Sequence, residues 1–281
     1  MMCQAPQDAV PLVGWVIQAM LRSAKNNLWH LLAVLLVILP GCGAKIDLAA
    51  ERHAKAVKAL IDLGAEVRDV EDEVTHDRGT YVILFREHFT PEGRVQEEVL
   101  KLIREIQALF LGVINTHVSD DAMPDLALLP NLHVLNATAT QLSNRGLKLI
   151  SASRDLRLLK LNRTHITDEG LEFLREMPSL RLLYLGDTDL SVAALQHISK
   201  IPQLEAIKLT ALPITDDELP NLSDMPRLRF LALDGTAVTD AGLKHLDSLP
   251  KLTYLDLQNT VVSLEAIKDF RTRHPQCFVK E

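Results

Sequence analysis

The stretch LDGTAVTDAGLKHL, residues 233–246, brings together side chains that could do chemistry. It contains Asp234, Thr236, Thr239, Asp240 and His245. Carboxylates and imidazoles transfer protons in general acid–base catalysis, and a hydroxyl beside a base can act as a nucleophile. Such groups, placed directly after the apolar run RFLAL, would suit an active-site loop at the end of a strand.

The start of this stretch resembles the phosphoryl-transfer motif Asp-x-Asp-Gly-Thr, in which the first Asp is the nucleophile. The nucleophile position here is Ala232, so that chemistry is not expected. The chain also lacks a glycine-rich phosphate loop, G-x-S-x-G and H-E-x-x-H. We therefore predict no enzymatic activity, no catalytic residues and no cofactor.

Cysteine and histidine usage does not indicate a metal centre. Cys3, Cys42 and Cys277 are far apart, and neither C-x-x-C nor a Cys/His group with zinc spacing occurs. The sequence predicts neither a metal site nor a disulfide framework.

A period of 24 residues accounts for the polar residues better than catalysis does. Stepping by 24 from Thr236 reaches seven anchor positions without insertion or deletion, and six of them are Thr: Thr116, Thr140, Thr164, Thr188, Leu212, Thr236 and Thr260. Six further columns are apolar in every copy: eight, five and three residues before the anchor, and two, seven and ten after it. Repeats of this length indicate a solenoid, and residues that recur in most copies favour a scaffold over one differentiated active site.

The unit reads L-x-x-L-x-L-x-x-T-x-[IV]-[ST]-D-x-[GA]-L-x-x-L over roughly residues 106–270. It resembles the leucine-rich repeat, in the subtype with ITDxGL in its second half. That subtype occurs in bacterial lipoproteins and in eukaryotic F-box substrate-recognition subunits. The resemblance implies an α/β solenoid, a right-handed horseshoe with a parallel concave sheet and short convex helices, but it implies no activity.

Elementary geometry predicts the same unit. The L-x-L alternation is typical of a strand with one buried face, and apolar positions three apart favour a short helix. A unit this small cannot bury its own apolar face, so neighbouring units must stack. We expect the anchor Thr to bond the backbone of a neighbouring turn and the Ser/Thr-Asp pairs to cap the helices. We expect the small residue that follows each pair to let helix and sheet pack closely.

Residues 20–45, MLRSAKNNLWHLLAVLLVILPGCGAK, have the pattern of an export signal. Arg22 and Lys25 precede an apolar run, residues 31–39, which is much shorter than the roughly 20 residues of a membrane-spanning helix. The ending LPGC resembles the lipobox of bacterial lipoproteins, which implies lipidation of Cys42, although Pro40 departs from the usual residue. A plain secretory signal or an uncleaved anchor stays open as an alternative.

The chain divides into five predicted segments. These are a signal region (1–41, with Met20 as the expected start and a long N-region as the alternative), a lipid-anchored linker (42–45), an α+β N-terminal capping segment (46–105), seven repeats (106–270) and a C-terminal cap (271–281).

The strand positions that alternate with the buried leucines are expected to face solvent on the concave side. The column six residues before the anchor is apolar in every copy, and the column four before it varies, with Tyr184 between Lys160 and Lys208. Tyr is favoured at binding hot spots. Cations around an aromatic, with acids further along, would suit a partner that has an acidic patch near a basic one. The predicted binding residues are Phe110, Lys160, Tyr184, Lys208, Phe230, Asp234, Tyr254 and Asp256.

Two alternatives remain for these columns. The first column could pack beneath its neighbours, and the middle column could be ordinary solvated surface. The choice depends on how closely the strands approach, which the sequence does not give.

Composition narrows the partner class. The chain has 281 residues, is 47% hydrophobic and carries a net charge of −7 without a Lys/Arg cluster, so nucleic acid is not expected. The sequence predicts a non-enzymatic, lipid-anchored scaffold of the cell envelope that binds a protein on the concave face and the membrane through its lipid. The alternative is an intracellular F-box-like adaptor of ubiquitin-ligase type, which would need an F-box helical segment where residues 46–105 indicate a helix, a hairpin and a helix.

Overall fold

The computed structural model describes residues 48–71 and 78–281. The predicted signal, Met20 and Cys42 lie outside these residues. The elements before the repeats are α1 (Leu48–Asp62), β1 (Glu66–Glu71), β2 (Arg78–Ile83), a 3₁₀ turn (Arg86–His88) and α2 (Glu97–Ile106).

Each repeat contributes a three-residue strand followed by a short helical segment. The strands are β3 (Phe110–Gly112), β4 (Val134–Asn136), β5 (Leu158–Lys160), β6 (Leu182–Tyr184), β7 (Ala206–Lys208), β8 (Phe230–Ala232), β9 (Tyr254–Asp256) and, at the C-terminal end, β10 (Phe278–Lys280). The α-helices are α3 (Met123–Ala127), α4 (Asn144–Ile150), α5 (Ala194–Ile198) and α6 (Leu264–Arg273), and the 3₁₀ segments are Asp120–Ala122, Asp168–Glu176, Asp216–Asp224 and Gly242–Ser248.

The strands of the described residues form one ten-stranded sheet in chain order. β1 and β2 are antiparallel, and β2 then pairs parallel with β3, so the N-terminal hairpin extends the repeat sheet. From β3 to β10 each residue pairs with the one 24 positions later, as Leu159 does with Leu183. The period of the sequence is thus the register of the sheet.

The apolar columns form one core between the sheet and the helical segments. Leu135, Leu159, Leu183, Ile207 and Leu231, the central strand residues, are fully buried, and they join one continuous cluster that reaches the N-terminal helices. Each such side chain contributes roughly 1.5–3 kcal/mol relative to exposure. The fold is a leucine-rich-repeat solenoid, as predicted.

The residue before the anchor lies in the left-handed region in all seven copies. The φ values run from 54° to 72° at Asn115, Ala139, Arg163, Asp187, Ala211, Gly235 and Asn259. This conformation turns the chain out of the strand while the N–H still donates to the next repeat, as Ala211 N does to the Asp234 carbonyl (2.9 Å). A residue with a Cβ pays roughly 1 kcal/mol or more there, and only one of the seven is glycine.

The anchor threonine closes its own turn. Its hydroxyl donates to the carbonyl three residues earlier, at 2.6–2.8 Å, in the pairs Thr116–Val113, Thr140–Ala137, Thr164–Leu161, Thr188–Leu185, Thr236–Leu233 and Thr260–Leu257. The expected bond to a neighbouring turn is therefore wrong. The hydroxyl thus helps to satisfy a buried carbonyl of the turn, and at Leu233 and Leu257 the backbone N–H of the same threonine donates to it as well (3.2 Å).

A carboxylate clasp joins successive repeats. Asp216 Oδ1 accepts the backbone N–H of Thr239 (2.9 Å), and its Oδ2 accepts the Thr239 hydroxyl (2.5 Å). The same clasp, always to the residue 23 positions later, occurs in Asp120–Ser143, Asp168–Ser191 and Asp240–Ser263. Asn144 makes the equivalent link to Thr167, with its Oδ1 accepting the backbone N–H and its Nδ2 donating to the hydroxyl. The two hydrogen bonds from Ser263, the backbone one first, hold the pKa of Asp240 below its usual value.

The two residues of each Ser/Thr-Asp pair therefore have different roles. The hydroxyl caps its own helix in most copies, since Ser143 Oγ accepts from Arg145 N (3.2 Å) and Ser263 Oγ from Ala266 N (3.2 Å). Thr167 is the exception among these, because its hydroxyl donates to Glu169. The Asp, which we expected to cap as well, bonds the next repeat instead. Because its folded pKa is lowered, the Asp240 clasp contributes stability above the unfolded carboxyl pKa and loses it as the pH falls through the lowered value.

The glycine of the repeat makes room for this clasp. A Cβ at Gly242 would overlap Asp216 Oδ1, and one at Gly146 would overlap Asp120 Oδ1. Gly170 stands in the same relation to Asn144. The small residue leaves room for the carboxylate or amide of the preceding repeat and also for buried leucines, since a Cβ at Gly146 would overlap Leu142 and one at Gly242 would lie 2.8 Å from Leu219.

At one repeat junction, the carboxylate at the helix start comes from the same repeat and not from the preceding one. The Asp position of copy four is Val192, and the glycine position that would face it in copy five is Glu218. Glu218 Oε2 accepts both the backbone N–H and the hydroxyl of Thr215, each at 2.8 Å. The carboxylate that is missing from the preceding repeat is thus supplied from within the same one.

The C-terminal cap protects the edge of the sheet. Arg271 donates to the Val279 carbonyl (2.6 Å), so a side chain rather than another strand satisfies that group on β10. Cys277 is buried beside it, and burial raises the pKa of its thiol to about 11. It is a core residue and not a reactive thiol.

The left-handed turn predicts opposite effects for two neighbouring substitutions. Gly235→Ala should destabilise by about 1 kcal/mol, because the added Cβ has space (3.5 Å to Ala211) but the backbone is strained. Ala211→Gly should stabilise by roughly 0.5 kcal/mol, since relief of strain exceeds the added chain entropy. Unfolding in urea gives the free energy of unfolding of both variants. Two changes of the same sign would contradict the prediction.

The junction at Val192 and Glu218 can be tested by a double-mutant cycle. Glu218→Gly removes the acceptor of Thr215, and Val192→Asp alone places a second carboxylate beside Glu218, so each single change should destabilise or be neutral. Together they recreate the clasp of the other junctions, and we expect a favourable coupling of about 1 kcal/mol. If the two changes in the free energy of unfolding are additive, the carboxylate at position 192 does not substitute for the one at position 218.

Candidate functional site

The concave face is defined here as the surface of β3–β10 that points away from the main core. It carries the first and third residue of each strand, because strand side chains alternate. The expectation that its first column is exposed is wrong for most copies. Each of Phe110, Val134, Leu158, Leu182 and Ala206 is 5% exposed or less.

These five residues form a second apolar cluster, separate from the main core. Neighbouring strands lie only about 4.8 Å apart, so side chains of one column cover each other. Val70, Tyr81, Leu109 and Phe230 pack against the cluster from both sides. Phe110, a predicted binding residue, is therefore part of a buried floor.

Tyr81 closes the N-terminal part of the concave face. Its ring meets Phe110 edge-on, with centroids 6.4 Å apart, and it lies so close to Gly112 that a Cβ there would be 2.8 Å from the Tyr81 hydroxyl. Burial, partly offset by a hydrogen bond with Asn136, raises the Tyr81 pKa. Sequence reasoning missed this residue because β2 stands outside the 24-residue period.

The C-terminal part of the face carries a stack of aromatic rings. Phe230 and Tyr254 are parallel, with centroids 4.3 Å apart, and Phe278 stacks on Tyr254 at 5.6 Å. Phe230 and Tyr254 are half-buried, whereas Phe278 is 62% exposed. Phe278 was missed, yet it stands 24 residues after Tyr254, so one further step of the period would have found it.

The middle of the face holds the predicted cation–aromatic row. Lys160, Tyr184 and Lys208 occupy paired positions on β5, β6 and β7, and all three are half-buried. The Lys160 ammonium lies 5.2 Å from the centre of the Tyr184 ring, within the range of a cation–π interaction. The structure brings these three side chains together as expected.

The two predicted acids do not present free carboxylates. Asp256 is buried, 5% exposed, and it accepts from Gln258 N (3.1 Å) and pairs with Lys280 (3.0 Å). The hydrogen bond with Asp256 raises the Lys280 pKa. Asp234 is half-buried and accepts the Thr210 hydroxyl (2.9 Å). The expectation that Asp256 faces solvent is wrong, because β10 adds a cation that the seven-copy alignment did not include.

No family model matches the chain, and no curated protein matches it. Among solved structures, an internalin (inlF) from Listeria monocytogenes is 18% identical, with a TM-score of 0.46 over 68% of this chain and 58% of that one. Internalin C2 (inlC2) from the same organism is 19% identical, with a TM-score of 0.47 over 64% and 72% of the two chains.

This chain thus spans 58% of the length of the first internalin. At these values the likeness carries no argument about binding, and the assignment of the fold rests on the strand register and the core described above. Within residues 48–71 and 78–281, no helix has the length and apolar character to cross a membrane.

Proposed function

We propose that this protein is a non-enzymatic scaffold of the cell envelope, anchored by lipid at Cys42, that binds a protein partner on the concave face. The partner-binding part of this proposal is carried by one observation: only one part of the concave face is open. Its N-terminal part is closed by Tyr81, whereas its C-terminal part presents the half-buried Tyr184, Lys208 and Tyr254 and the exposed Phe278. Aromatic side chains with polar tips beside cations are typical of binding hot spots.

The structural roles of the Thr–Asp pairs support a scaffold rather than an enzyme. Every such group in the stretch 233–246 has a structural hydrogen bond: Thr236 closes its turn, and Asp240 clasps Ser263. Thr239 is held by Asp216, and Asp234 accepts from Thr210. His245 is exposed on the helical side of the repeat, away from these groups, so the stretch has no assembled acid–base pair.

The proposed lipid anchor at Cys42 is supported by the sequence alone. Cys42 follows the signal-like segment, and α1 begins at Leu48, only a few residues after it. A lipid at Cys42 would therefore hold the solenoid close to a membrane surface. Several acyl chains anchor stably because each buried methylene adds roughly 0.8 kcal/mol.

An F-box-like adaptor is not favoured. It needs a helical F-box segment before the repeats. The described residues of that region form one helix, a hairpin continuous with the repeat sheet and a second helix.

The concave-face proposal predicts loss of partner binding without loss of the fold. Tyr184→Ala/Phe278→Ala removes two aromatic contacts without changing the charge, and we expect the captured partner to fall roughly tenfold or more. Quantitative mass spectrometry of cross-linked material from envelope preparations measures this. Leu128→Ala/Val261→Ala, which alters two exposed apolar residues outside the strands, is the matched control. Undiminished capture by the first variant would disprove the concave site.

The anchoring proposal predicts that Cys42→Ser abolishes lipid attachment. In a bacterial host with lipoprotein-processing enzymes, the unaltered chain should incorporate an alkyne-labelled fatty acid and enter the detergent phase, whereas the variant should do neither. Cys277→Ser, at a buried thiol, is the control and should stay labelled. Label in the Cys42 variant would exclude this anchor.

A further inference from the structure

The concave face has more cations than its own carboxylates neutralise. Lys208 lies between Tyr184 on β6 and Ala232 on β8. Within the described part of the chain, no carboxylate lies within ion-pair distance of its ammonium, and the same holds for the exposed Arg229, which directly precedes β8.

The acids nearby are already engaged. Asp256 pairs with Lys280, and Asp234 accepts from Thr210. Glu205, which directly precedes β7 one repeat before Arg229, lies 3.8 Å from Arg181. Of the two acids predicted to bind a basic patch of the partner, Asp256 is neutralised by Lys280, and Asp234 bonds only the uncharged Thr210 hydroxyl. The face therefore offers a basic group less than the sequence suggested.

The surroundings strengthen attraction for an anion. Lys208 stands on a floor of buried apolar side chains, with Ala206 and Ala232 next to it in the sheet. A charge over a low-dielectric surface is screened less than one surrounded by water. Since the whole chain carries −7, this basic strip is a local feature that can orient an incoming negative group.

The spacing fits an extended peptide. Arg229 directly precedes β8, three residues before Ala232, the pairing partner of Lys208. It occupies, five repeats later, the position of Leu109, whose side chain packs against the concave-face cluster, so this column borders the concave face. At about 3.3 Å per residue, the two cations are roughly 10 Å apart along the strand direction. Carboxylates about two to four residues apart on an extended segment would reach both.

A single-stranded nucleic acid fits less well. Its bases need free aromatic faces on which to stack. Phe230 and Tyr254 stack on each other, and Phe278 covers the other side of Tyr254. A polyanion would also be repelled by the remainder of an acidic chain.

From these observations we propose that the concave face binds an acidic, extended segment of its partner protein, with carboxylates at Lys208 and Arg229. This rests on the proposed function and adds the chemistry of the partner. An apolar side chain of the same segment would contact Tyr184 and the Phe230–Tyr254–Phe278 stack.

The test uses the full chain in mild detergent and a displayed library of random peptides. We expect the recovered peptides to be enriched in Asp and Glu, and their binding to weaken as salt is raised. Lys208→Glu/Arg229→Glu should weaken the tightest peptide roughly tenfold or more, because like charges across an interface repel each other. Lys244→Glu/Lys268→Glu, the same charge change at exposed positions of the helical side, should leave its affinity unchanged.

Each other outcome overturns the inference. Neutral or basic peptides, peptides insensitive to the Lys208/Arg229 change, the absence of any selected peptide, or a DNA oligonucleotide bound with the same dependence on these two cations would each do so. Partner capture distinguishes failure of this inference from failure of the proposed function. If Tyr184→Ala/Phe278→Ala abolishes partner capture and Lys208→Glu/Arg229→Glu does not, the concave site stands and the acidic segment is wrong. If neither changes capture, the concave site itself is wrong.

Discussion

The solenoid depends on the fixed register between successive repeats. The parallel hydrogen bonds of the sheet set how far one unit can slide on the next, as the pairing of Leu159 with Leu183 shows. On the helical side a carboxylate clasp adds two hydrogen bonds of defined direction from one helix start to the next, as in Asp216 to Thr239. Several features of the repeat follow from it, including the small residue that leaves space for the carboxylate.

The exception at Val192 shows what the clasp requires. Thr215 there still has both its N–H and its hydroxyl bonded to a carboxylate, but that carboxylate belongs to Glu218 of the same repeat. The requirement is thus an acceptor at the helix start and not a particular residue. The junction between copies four and five lacks the clasp and relies on the sheet pairing of β6 and β7, the apolar core and the Arg181–Glu205 pair (3.8 Å).

The same geometry decides which part of the concave face is exposed. Closely spaced strands bury the first column where side chains are apolar on both sides, and Tyr81 covers the end near the hairpin. Further along, the aromatic stack ends at the exposed Phe278, and Lys208 and Arg229 have no carboxylate within ion-pair distance among the described residues. The side chains that the proposed partner would contact therefore lie over the last five strands.

The sequence by itself determined the fold, the register and the buried columns, because a period of 24 residues with fixed apolar positions allows only one way of stacking. It also placed Lys160, Tyr184 and Lys208 side by side, since register follows from the period. It could not decide exposure: Phe110 and Asp256 are buried because of Tyr81 and Lys280, which lie on strands outside the seven aligned copies. Nor could it assign the Asp residues, because a helix cap and a bond to the next repeat require the same residue type. Only the tertiary structure shows which acceptor lies within reach.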